Sequence, residues 1–71
     1  MLREKVIQRQ RALGWSDVTM ARTIGIPRSS YHAIARGEYE ITLRVARLIV
    51  RAFPDLEPYV LATEESEEVA G

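Results

Sequence analysis

Arg28, Ser29, His32 and Arg36 stand at i, i+1, i+4 and i+8, a spacing that puts all four on one side of a helix. Their shared chemistry is hydrogen bonding without bond breaking. A guanidinium offers parallel N–H donors in one plane, a hydroxyl both gives and accepts, and an imidazole does either. Such a face suits phosphate oxygens and the polar edges of heteroaromatic rings. His32 is the only histidine and cysteine is absent. With no carboxylate at ligand spacing nearby, neither a metal site nor a nucleophile–base pair is expected. A phosphate-cradling glycine loop is also missing. We therefore expect no enzyme, no cofactor and no small-molecule ligand.

The elements that would hold this face follow from caps and breakers. A first helix is predicted over residues 2–13, with Leu2, Val6 and Leu13 near one stripe and Arg3, Arg9 and Arg11 on a solvated side. Gly14 ends it. Ser16 is a fitting N-cap for a second helix, Asp17 places an acid at that helix's positive end, and Trp15 and Met20 have the spacing of a hydrophobic staple. The second helix runs to Ile24, where Gly25 supplies a left-handed exit. Pro27 opens the third helix, which continues to about Arg36 and stops at Gly37. After a loop, Thr42 caps a fourth helix bearing Val45, Ala46, Leu48, Ile49 and Phe53, and Pro54 halts it. Asp55 caps a short fifth helix with Leu56, Tyr59, Val60 and Leu61. Tyr31 and Tyr59 read as packing residues. No segment alternates as a strand, so the fold expected is all-α, a compact bundle of five helices.

Two helices joined by a sharp turn make a helix-turn-helix when the crossing is small, the turn holds a glycine and the inner positions are apolar. Ala21 supplies the first, Gly25 the second, and Met20, Ile24, Ile26, Tyr31 and Ile34 the third. With Ser16, Ala21, Gly25, Ile26, Ser29, Ile34, Arg36 and Gly37 in that order, the chain resembles the Cro and lambda-repressor-like (XRE-type) helix-turn-helix proteins. The resemblance extends from about Val6 to Ala62. It implies a five-helix lambda-repressor-like domain with the third helix in the major groove. It further implies a transcription regulator, most often a repressor, of phage or mobile-element type.

Roles are expected as follows. Arg28, Ser29, His32 and Ala33 read bases: Arg28 through a bidentate pair to guanine, Ala33 against a thymine methyl. Ser30, Arg36, Tyr39, Arg22 and Arg44 contact phosphates, as do free amides at the starts of the second and third helices. The chain departs from its relatives in three places. Where they often carry Gln at the first position of the second helix, it has Asp17. Where many pair an Arg with a Glu, it has Gln10 and Ala35. Its loop after the third helix holds Glu38 and Glu40.

Charge is segregated. Residues 1–62 carry all ten basic side chains against six acids, a net of +4, and residues 63–71 add four glutamates and no base, so the 71-residue chain sums to zero. A basic body suits a polyanion. The domain expected is 1–62, followed by an acidic, disordered tail over 63–71. Double-stranded DNA is the expected partner, with a weak homodimer or pairing induced by DNA. The apolar runs, Leu48–Val50 among them, are far too short for a bilayer, and a cytoplasmic location is expected. An alternative from another class is a protein-interaction module, an antitoxin or anti-repressor. It draws on Asp17, Glu38 and Glu40 at the face meant for DNA.

Overall fold

Side-chain caps and glycine or proline breakers mark the boundaries near Gly14, Ser16, Gly25, Pro27, Thr42 and Pro54. The computed structural model describes residues 2–60, and within them the order is α1 (Leu2–Leu13), α2 (Asp17–Ile24), α3 (Arg28–Ala35) and α4 (Leu43–Ala52). A 3-10 turn, Pro54–Leu56, follows, and residues 57–60 are helical again, a fifth segment. No strand occurs among the described residues. The expected tail, 63–71, and Leu61 lie outside them.

Ser16 caps α2, its Oγ accepting from the Thr19 N–H at 3.2 Å. Thr42 does the same for α4, accepting from the Val45 N–H at 3.3 Å. Each such cap contributes about 1 kcal/mol. Gly25 closes α2 at φ 95°, and the Ala21 carbonyl accepts from both the Gly25 and Ile26 amides, at 2.8 and 3.0 Å. A Cβ at Gly25 would meet nothing within 4 Å. The requirement there is conformational, since left-handed φ disfavours any side chain.

α2 packs on α3 and α4, α1 packs on α3, and α4 packs on the 3-10 turn. Their inward residues form one core: Leu2 and Val6 from α1, Met20, Ala21 and Ile24 from α2, Tyr31 from α3, Ala46 and Ile49 from α4, then Phe53, Leu56 and Val60. Met20 and Ala46 have no exposed surface. Trp15 lies partly buried against this core, its ring 6.4 Å from that of Phe53. The bend between α1 and α2 is thereby tied to the end of α4.

Four expectations are corrected. Pro27 does not open α3 but precedes it in extended conformation, ψ 147°, its carbonyl accepting from the Tyr31 N–H. Leu13 is 42% exposed and leaves the apolar stripe. Asp55 caps nothing. It sits inside the 3-10 turn, and its carboxylate pairs with Arg9, which holds its carboxyl below the usual range. Arg9 is accordingly more than a solvated residue, for its guanidinium also lies 5.1 Å from the centre of the Phe53 ring, a cation–π distance.

Candidate nucleic-acid interface

The outward side of α3 depends on what lies beneath it. Tyr31 and Ile34 are buried at 1% and 5% exposure, and Ala21 at 2%. A small side chain at position 21 lets α2 approach α3 closely. With that seam fixed, Arg28, Ser29, His32 and Arg36 all emerge exposed. The structure thus brings together the four residues singled out by spacing. Ser30 beside them is half-buried.

Ala33 departs from expectation. It was expected beside the outer face against a thymine methyl, yet it is buried. The reason is the chain that follows. Past Gly37, at φ 80°, the loop turns back so that the Glu38 and Tyr39 amides both bond the Ala33 carbonyl, at 2.9 and 3.4 Å. A methyl group on that flank is too short to reach beyond the covered surface.

The loop that covers Ala33 leaves Tyr39 64% exposed. It also carries Glu38, whose carboxylate lies 3.4 Å from the Arg36 Nε. Arg36 is thus engaged by an acid of its own chain while still largely open to solvent. Arg22, in the last turn of α2, and Arg44, in the first turn of α4, are exposed. The two helix starts differ. At α2 the Ser16 hydroxyl already takes one free amide, whereas at α3 no side chain caps the first amides. Those of α3 are the better match to an anion.

Sequence reading missed the polar network beneath this face. The Tyr31 hydroxyl donates to Gln10 Oε1. Gln10 Nε2 donates to the Trp15 carbonyl at 3.1 Å and to Asp17 Oδ1 at 2.8 Å. The second Asp17 oxygen, Oδ2, accepts from His32 Nδ1 at 2.9 Å. Three helices are joined through one carboxylate. The His32 hydrogen bond, then that from Gln10, hold the Asp17 carboxyl below its ordinary value, with a smaller contribution from the Arg28 charge. Burial, then the Asp17 charge, push the Tyr31 hydroxyl up to about 12. Gln10 and Asp17 are two of the positions at which the sequence reading set this chain apart from the family it resembles, and that contrast was the available signal. Their partners lie 15 and 21 positions away in sequence, which no local pattern reveals.

Among the described residues no group of His, Cys, Asp and Glu could hold a metal ion, and no helix is long and apolar enough to cross a membrane. Compared with known proteins, the chain matches the family described as Helix-turn-helix over residues 7–61. No curated protein and no solved structure matches it.

Proposed function

The chain belongs to the XRE-type helix-turn-helix family of DNA-binding regulators, and from that premise we propose that it is a sequence-specific repressor of transcription, of phage or mobile-element type. On this reading α3 enters the major groove of double-stranded DNA. The observation that carries it is the exposed row of Arg28, Ser29 and His32 on a helix whose opposite side is locked to α2. Arg28 stands at the first position of α3, from which a bidentate pair to guanine O6 and N7 is within the reach of its side chain. Ser29 bonds a base edge or a phosphate. Arg36 clamps phosphate in exchange for Glu38, and Ser30, Tyr39, Arg22 and Arg44 serve the flanking backbone. Pairing is weak or forms on DNA, with two half-sites about 34 Å apart.

The protein-interaction alternative drew on three unanswered acids. Two of them are engaged within the chain, Asp17 by His32 of α3 and Glu38 by Arg36 just past its end, so that support has thinned and the reading is not taken up. The test is selection of bound sequences from a randomised duplex library, followed by Arg28→Ala. The substitution should cost about 1–3 kcal/mol of specific affinity and relax preference at one base pair. A library that yields no retained duplex would refute the reading.

A further inference from the structure

Asp17 and His32 form a unit that the family reading does not account for. An ionised carboxylate only accepts hydrogen bonds. Both Asp17 oxygens do so, Oδ1 from Gln10 and Oδ2 from His32 Nδ1 at 2.9 Å. The proton on neutral His32 must then reside on Nδ1. Nε2 is left with a lone pair and has no hydrogen-bond partner among the described residues. The imidazole is about half exposed, with 49% of its side-chain surface open, and it lies on the row that carries Arg28 and Ser29.

We propose that Asp17 is a positioning residue that makes His32 a reader of amino groups on base edges, and that protonation inverts what His32 reads. This rests on the reading of α3 as the groove-facing helix. In the major groove the hydrogen-bond donors are the N6 amino group of adenine and the N4 amino group of cytosine. The acceptors are guanine N7 and O6, adenine N7 and thymine O4. Neutral His32 held through Nδ1 presents an acceptor, and so selects adenine or cytosine at the base it meets. A proton taken up on Nε2 makes that atom a donor. The same geometry then favours guanine or thymine. A neutral imidazole can take up a second ring proton, after which both of its nitrogens donate.

The charged groups around the pair are few. From α2 there is Asp17, and from α1 Arg11, which lines the same cleft of about 370 Å³ as His32. From α3 there is Arg28, which acts on Asp17, and just past its end Arg36, itself paired with Glu38. The Tyr31 hydroxyl is neutral over the range concerned.

The experiment selects duplexes from a randomised pool with the wild-type chain at pH 8 and pH 5.5, then measures affinity for single-base variants of the selected site. One position should favour adenine or cytosine at pH 8 and turn toward guanine or thymine at pH 5.5, a change of about tenfold in relative affinity, the scale of one hydrogen bond gained or lost. His32→Ala should bind with no such change. Asp17→Ala should lose the preference at pH 8, since either ring nitrogen can then carry the proton. In the free wild-type chain, nitrogen NMR at pH 8 should place the His32 proton on Nδ1, and circular dichroism checks that both variants fold. A site selected with equal base preference at both pH values, or an Nε2-protonated ring at pH 8, overturns this inference and leaves the functional reading intact. No retained duplex at either pH overturns both.

Discussion

Replacing Tyr31 with Phe isolates one buried hydroxyl and gives a stability change whose sign depends on pH. Tyr31 is 1% exposed, and its hydroxyl donates to Gln10 Oε1. Phe keeps the ring and its packing, so near pH 7 only the hydrogen bond is lost, at a cost of about 1 kcal/mol. For a domain of this size that lowers Tm by about 4–8 °C. At high pH the order reverses. The unfolded tyrosine ionises around its ordinary 10.0, while in the fold burial and the Asp17 charge hold the proton to about 12. The folded value is the higher one, so the contribution is complete below pH 10 and falls as pH rises from 10 through 12. Its full size is about 3 kcal/mol. The Phe chain has no such term. Its stability curve should cross that of the wild type between about pH 10.5 and 11, and by pH 11.5 it should be the more stable by about 1 kcal/mol. Every other titrating group is common to both chains and cancels in the difference. Urea unfolding followed by helical circular dichroism at pH 7, 10, 11 and 11.5 reads it directly. Parallel curves with no crossing would refute the burial argument for Tyr31.

Two further substitutions probe the frame that presents α3. Ala21→Leu adds three carbons to a side chain 2% exposed at the α2–α3 seam, and overpacking should cost about 1–3 kcal/mol in urea unfolding along with duplex affinity, since α3 is displaced. Gly25→Ala should cost only about 1 kcal/mol, the conformational penalty of φ 95°, because a Cβ there meets nothing within 4 Å; a loss above about 3 kcal/mol in the same assay would point to a steric contact instead.

Much of the fold was legible because its boundaries are signalled locally. Ser16, Gly25, Thr42 and Pro54 each act within a turn of themselves, and α2 and α4 begin and end where those residues dictate. Errors arose where a neighbour in space decides. Leu13 has the spacing of a core residue but no element above it. Ala33 has the spacing of an outer residue, yet the returning loop covers it. Asp55 has the type of a cap but is drawn to Arg9, 46 positions away. The face itself, Arg28, Ser29, His32 and Arg36, was readable because helical periodicity alone places it. What lies beneath it was not readable, because Gln10, Asp17, Tyr31 and His32 meet only once three helices have packed.

That network explains why Gln10 and Asp17 belong together. The buried Tyr31 hydroxyl needs an acceptor, since a buried donor left unpaired costs about 1–3 kcal/mol. An arginine at position 10 could not provide one, because a guanidinium only donates. Glutamine accepts the Tyr31 hydrogen bond at Oε1 and still donates from Nε2 to the Asp17 carboxylate. That carboxylate takes its second donor from His32. Each group therefore sets the polarity of the next, from a phenol in the core to an imidazole on the surface. The chain of donors and acceptors ends on His32 Nε2, which no hydrogen bond engages among the described residues.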